Sequence, residues 1–297
     1  MEWVPTTSAQ ALCADDMAAL ARAKHELESP PLTMKLAAIV GAPLEKVMLR
    51  LPAVANEKVA EATQSALRKC LQIALKTLRK PGHGAGHITS HIGSGATGAA
   101  ALPPATPGKP GNLLHKFAVA TTGAAGGAFG LLALPVELPV TTTLMFRSIC
   151  DVARSEGEDL NSTDTQLQCL AVLGMGSHSS TDDEADLGYF IMRGALAQAV
   201  SKASSEIASK GITAHGSAAL VRLVNAIAAR FSVQVSEQVA AKSIPAIGAV
   251  LGAMVNTVFI DHFQQVAHGH FTVRRLERKY GEEAVKAAYQ TIDVSLA

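Results

Sequence analysis

The stretch FIDHFQQVAHGHFTVRRLERKY carries Asp261, His262, His268 and His270 ahead of an arginine cluster. An acid beside several imidazoles is raw material for general acid–base catalysis or metal-assisted hydrolysis. On a helix, Asp261 and His268, seven apart, share one face, and His262 and His270, eight apart, share another about a quarter-turn round. These four residues are the catalytic candidates, and they carry a hydrolase, peptidase-like reading with Glu137 or a metal as an optional addition. The signatures that would sharpen it are missing. No HExxH supplies zinc ligands with a general base, and no GxSxG supplies a nucleophile elbow. A structural role for the four is the plainer reading, and no metal or cofactor is expected.

Other polar residues invite the same question. Glu137 stands between Pro135 and Pro139 at the end of an apolar run. A carboxylate there must find a partner or stay protonated. It is either a buried acid at a site or an architectural group, pairing with an arginine or favouring the N-terminus of the following helix. The architectural reading is preferred. Arg147, Asp151, Arg154 and Glu158 follow at spacings of four, three and four, which predicts a ladder of ion pairs along one helix face. Asn256 interrupts a second apolar run. Glu137, Arg147, Asp151 and Asn256 are therefore the buried-polar candidates.

Two basic groups suit anionic headgroups better than nucleic acid, with a plain solvated helix face as the simplest reading of the arginine cluster. Lys69, Lys76, Arg79 and Lys80 lie opposite the apolar stripe of a long helix, and Arg274, Arg275 and Arg278 cluster beside Phe271 and Tyr280. A net charge of +1 argues against nucleic acid. His83, His87 and His91 recur every four residues, but the intervening glycines disfavour the helix that would align them on a metal. Gly93, Gly95 and Gly98 spell GxGxxG without a preceding strand, and Pro110 follows Gly108-Lys109 where a P-loop needs Ser or Thr.

The elements that position these residues are helical. Hydrophobic residues make up 48% of 297 and aromatic ones only 4%, so Ala, Leu and Val must supply the core. Short helices are expected from Asp16 to Leu27 with Asp15 as N-cap, from Thr33 to Val40, and from Leu44 to before Pro52. A long amphipathic helix, about Ala53 to Arg79, buries Val59, Ala62, Ala66, Leu67, Cys70, Ala74 and Leu78. Residues 81–112 read as a flexible Gly/Pro-rich linker between an N-terminal helical region, 1–80, and a helical core, 113–297. Past a Pro-Val-Glu-Leu-Pro corner at residues 135–139 an amphipathic helix follows. Further helices are expected over about 165–175, 183–209, 217–242, from near Pro245 to Tyr280, and 282–292. Gly41, Gly211 and Gly281 serve as stops. No strand pattern and no fixed repeat occur, which gives an all-α multi-helix bundle.

Cys13, Cys70, Cys150 and Cys169 show no CxxC and are expected as free thiols in a reducing compartment. The N-terminus lacks a secretory pattern, which places the chain on the cytosolic side. Phe117 to Val136 and Ser243 to Ile260 are uncharged for 20 and 18 positions, at or near the length of a membrane span. Gly123/Gly127, Gly126/Gly130 and Gly248/Gly252 make small-residue faces that let another helix approach closely. Close packing in a bundle is favoured over insertion, with reversible membrane association as the variant.

GGAFGLLALPVELPVTTTLMFRSICDVARSEGEDL and IPAIGAVLGAMVNTVFIDHFQQVAHGHFTVRRLERKYG closely resemble the signature blocks of the EcsC protein family, and GYFIMRGAL resembles a third. The resemblance covers about Leu113 to Tyr289. It implies a hydrophobic, mostly helical protein without an established activity, from a family named for a protein encoded beside the ATPase and membrane subunits of a bacterial ABC transporter. It brings no catalytic residue with it. The expectation is a non-enzymatic accessory or scaffold at the inner face of the cell membrane, partnered with a membrane surface or membrane complex. The hydrolase remains the alternative.

Overall fold

The computed structural model describes residues 12–28, 30–41, 44–49, 53–78, 134–176, 185–211, 217–243 and 249–292. Among them are ten helices and no strand, an all-α bundle. They are α1 (Ala14–Leu27), α2 (Leu32–Val40), α3 (Leu44–Met48), α4 (Ala53–Leu78), α5 (Leu134–Ser155), α6 (Thr163–Val172), α7 (Ala185–Lys210), α8 (Ala218–Lys242), α9 (Ala249–Tyr280) and α10 (Glu282–Thr291).

Helix α9 is the post around which the others stand, touching α1, α2, α5, α6, α8 and α10. It can do so because apolar residues surround much of it. Val255, Phe259, Phe263, Val266, Phe271, Val273 and Leu276 are all buried. The few aromatic residues are concentrated here. Phe231 of α8 meets Phe263 edge-on at 5.5 Å between centroids, and Phe259 meets Phe263 at 5.2 Å. Such pairs add about 0.5–1.5 kcal/mol beyond burial. Helix α4 lies along α5 and α8 through its expected stripe, of which Val59, Ala62, Ala66, Leu67, Cys70 and Ala74 are buried and Leu78 is half-buried.

The N-terminal helices share this core rather than sitting at its periphery. One continuous apolar cluster joins Leu20, Ala23 and Leu27 of α1 to Val266 and Ala267 of α9 and Val285 of α10. Lys24, only 1% exposed, donates from Nζ to the Tyr289 carbonyl at 3.2 Å and the Ile292 carbonyl at 2.8 Å. It thereby caps the C-terminus of α10 with a cation, where the helix dipole favours one. The expected linker, with His83, His87 and His91, and most of the first apolar run lie outside the described residues. The second run, from Ala249 on, opens α9 and buries Gly252, Val255, Asn256, Phe259 and Ile260. Among the described residues, one helix is long and apolar enough to cross a membrane, α8, and 50% of its most apolar window is buried.

Two local expectations need correction. The Pro-Val-Glu-Leu-Pro segment is no corner, because α5 begins at Leu134 and contains both prolines. Pro135 sits in the first turn, where its missing N–H has no intrahelical partner to lose, and Pro139 forfeits one hydrogen bond close to the helix start. Asp15 is not the cap of α1. That position is Cys13, and Asp15 and Asp16 fall inside the first turn. Asp16 is held there by the far end of α9, accepting from Lys279 Nζ at 2.6 Å and Tyr280 OH at 2.8 Å. Gly281, at φ 88°, ends α9 and turns the chain into α10 with its N–H on the Glu277 carbonyl.

Candidate functional site

The four catalytic candidates share α9 but not a site. Asp261 faces α2, where its charge acts on Lys35. His262 donates from Nε2 to the Gly176 carbonyl at 2.8 Å, beyond the end of α6. His268 points at α1, with Nδ1 at 2.6 Å from Glu26 Oε2 and Nε2 at 3.5 Å from Glu156. His270 is buried, with Nδ1 at 2.9 Å from the Tyr189 hydroxyl of α7. Burial, with Arg193 and Arg274 nearby, pushes the His270 imidazole well below its usual range, and burial raises the Tyr189 phenol, so this pair is a neutral hydrogen bond. The pairing of faces follows the spacing: Asp261 and His268 meet the N-terminal helices, His262 and His270 the opposite side. A hydrolase would need the four to converge, and they point to four different neighbours. Among the described residues no group of three or more His, Cys, Asp or Glu is arranged to hold a metal.

The arginines that follow are occupied from within. Arg274 Nε donates to Glu158 Oε1 at 2.8 Å, Arg278 Nη1 bonds the same oxygen, and Arg274 Nη2 reaches Asp164 at 3.4 Å. Arg275 Nε donates to Glu156 Oε2 at 2.8 Å, and its Nη1 lies 3.4 Å from Asp16. The acids come from the segment joining α5 to α6, from the first turn of α6 and from α1, so the cluster bolts three parts of the chain to α9. Burial alone would raise the Glu158 carboxyl, but Arg274 and Arg278 outweigh it and hold it low. The expected ladder on α5 is correspondingly shortened. Arg154 lies 3.4 Å from Asp151, whereas α5 ends at Ser155 and Glu158 turns away to the arginines.

His268 makes a pH prediction. The hydrogen bond to Glu26, with the charges of Glu26 and Glu156, outweighs burial and Arg22 to raise its pKa above 6.5. A raised folded pKa stabilises fully below the unfolded value and is lost as pH rises through the folded one. The site is partly exposed, so the effect is small, about 1–2 °C in melting temperature. The wild type should exceed His268→Gln by that margin at about pH 6 and by less at about pH 9. A margin independent of pH would remove the imidazolium from the account.

Glu137 has a nearly buried partner, and it is a lysine rather than an arginine. Lys242, at the end of α8, pairs with Glu137 Oε1, and the side chains are 9% and 11% exposed. Asn256 Nδ2 donates to the same oxygen at 3.3 Å, and Gln238 Nε2 donates to Asn256 Oδ1 at 2.6 Å. Neither Lys242 nor Gln238 was singled out from sequence. The signal was there, because Gln234, Gln238 and Lys242 recur every four residues in line with the buried apolar residues Ile227 and Phe231 of the same helix. Burial pulls the Lys242 pKa down, opposed by Glu137.

Of the remaining candidates, Arg147 is exposed, and its charge and that of Lys69 both act on Cys70, which lies between α4 and α5. Lys69 and Lys76 are exposed along α4, and Arg79 and Lys80 lie outside the described residues. The Cys70 thiol is pushed up to about 12 by burial and is no nucleophile at neutral pH.

No curated protein and no solved structure matches the chain. The sequence profile of the EcsC protein family matches residues 14–276, from the first residue of α1 into the last turns of α9, including the N-terminal helices beyond the blocks quoted above. With nearly all of the folded bundle inside that match, the chain belongs to the EcsC protein family.

Proposed function

We propose that the chain is a non-enzymatic accessory or scaffold module at the cytosolic face of a membrane, bound to its surface or to a membrane complex of the ABC-transporter kind. The observation that carries the reading is the contrast between two sets of basic residues. Those on α9 are neutralised by Glu156, Glu158, Asp164 and Asp16. Those on the second half of α4 form no ion pair among the described residues. Arg68, Lys69 and Lys76 are exposed, and no acidic residue occurs between Ala62 and Leu78. A basic helix face of this kind suits anionic lipid, at about 1 kcal/mol per residue near the surface. The dispersal of Asp261, His262, His268 and His270 gives the hydrolase alternative no support.

Sedimentation with vesicles tests this. Binding to phosphatidylserine-containing vesicles should exceed binding to phosphatidylcholine alone and fall as salt rises, because exposed charges are screened. Lys69→Gln with Lys76→Gln should weaken it by roughly thirtyfold. Equal binding to both vesicle types, insensitive to salt, would overturn the reading.

A further inference from the structure

Three of the four cysteines meet. Cys70 of α4, Cys150 of α5 and Cys169 of α6 pack into the apolar core where those three helices touch. The turn from α5 into α6 brings the last two level with each other. Cys150 stands five residues before Ser155, the end of α5, and Cys169 six residues after Thr163, the start of α6. At a rise of about 1.5 Å per residue, both lie at nearly the same height above the connecting segment. There the Cys169 thiol is hydrogen-bonded to Cys150, whereas Cys70 acts on Cys150 through its charge. All three are free thiols. Cys150 is half-buried and open to a small solute, while Cys70 and Cys169 are fully buried.

We propose that Cys150 and Cys169 form a reversible disulfide that clamps α5 to α6 when the protein meets hydrogen peroxide. The difference in exposure divides the chemistry. Cys150 attacks the peroxide first. Its S–O bond forms and the O–O bond breaks, the sulfur is oxidised to sulfenic acid, and the other oxygen leaves as water with the thiol proton. The Cys169 sulfur then attacks that sulfur. The S–S bond forms, the S–O bond breaks, and the hydroxyl leaves as a second water with the Cys169 proton. Two thiols and one peroxide thus give one disulfide and two waters. Burial holds the Cys169 thiol protonated, well above its usual range, so alone it is a poor nucleophile. Contact with Cys150 offsets this, because the proton is lost only as the leaving oxygen takes it. Burial also selects a disulfide over a bound soft metal, since the disulfide is neutral and a thiolate complex would leave charge in apolar surroundings. The loop that the bond closes contains Glu156, Glu158 and Asp164, the acids that hold the arginines of α9. Oxidation therefore tightens the segment that fastens α9. The inference does not depend on the membrane reading.

Peptide mass mapping of the full chain tests the proposal. The native protein is treated with hydrogen peroxide, its remaining thiols are blocked with N-ethylmaleimide, and it is digested without reductant. A linked Cys150–Cys169 peptide should dominate, two of the four free thiols should be lost, and dithiothreitol should restore them. The oxidised protein should melt about 5–10 °C higher, because a loop of about 20 residues is closed. Cys150→Ala should remove the link, and Cys13→Ala should keep it. The mapping is made on the wild type, so it decides the matter even if Cys150→Ala fails to fold. Four results would overturn the proposal: a link from Cys150 to Cys70 in place of Cys169, a link found only after unfolding in urea, Cys150 carried on to sulfinic acid without a link, or an oxidised protein that melts no higher than the reduced one.

Discussion

Glu158→Ala is expected to destabilise the fold by about 3–5 kcal/mol, the cost of stranding one side of a buried ion pair. The Glu158 side chain is 5% exposed. It accepts from Arg274 Nε at 2.8 Å, from Arg278, and from the Thr165 hydroxyl at 3.2 Å. Without it, Arg274 keeps, among the described residues, the longer contact to Asp164 at 3.4 Å. Arg274→Gln should lose a similar amount from the other side. Replacing both, as Glu158→Gln with Arg274→Met, should cost much less than the sum, because no buried charge is left alone. The pH dependence follows from the lowered carboxyl. A depressed folded pKa stabilises above the unfolded value, near 4.5, and that contribution is lost as pH falls through the folded one. The gap between wild type and Glu158→Ala should therefore be wide at neutral pH and narrow in acid. Urea melts of all three variants decide it. An Arg274→Gln protein that melts like the wild type yet binds vesicles poorly would return this arginine to the membrane surface.

How far the sequence could be read depended on the range of the interaction. The helices and their stops at Gly41, Gly211 and Gly281 follow from local periodicity and backbone freedom, and the structure reproduces them closely. The two faces of α9 were equally legible, since spacing alone decides which side chains share a face. What the faces meet was not. Arg274 and Glu158 are 116 residues apart, and Lys242 and Glu137 are 105 apart. Nothing local distinguishes an arginine bound for lipid from one bound for a distant carboxylate. Glu158 was misplaced for a related reason. A spacing of four continued the ladder only if α5 continued, and the chain leaves the helix at Gly157, which has φ 80°. Lys24 left a fainter trace. It falls four residues after Leu20 and three before Leu27, on the buried stripe, where a lysine needs a reason.

Gly269→Leu is expected to be the most damaging single change on α9 that alters no charge. The glycine sits in mid-helix, where alanine would ordinarily be better by about 1 kcal/mol, so its presence asks for a cause. A Cβ at this position would lie 2.7 Å from Leu27 Cγ and 2.9 Å from the Ala23 carbonyl oxygen. The leucine tip can turn aside, but the carbonyl belongs to the backbone of α1. Helix α1 in turn is fixed to α9 and α10 by Asp16, Lys24 and Glu26. Even Gly269→Ala should therefore cost about 1–3 kcal/mol despite its better propensity, and leucine should reach or pass the upper end. Gly194 is the control. It is exposed on α7 with nothing within 4 Å of its would-be Cβ, so Gly194→Ala should stabilise by about 0.5–1 kcal/mol. Opposite signs for the two alanine variants in urea melts identify close approach of α1, rather than helix propensity, as the reason for the glycine. If Gly269→Ala stabilises as Gly194→Ala does, the backbones of α1 and α9 do not meet there, and the N-terminal helix is held by its polar contacts alone.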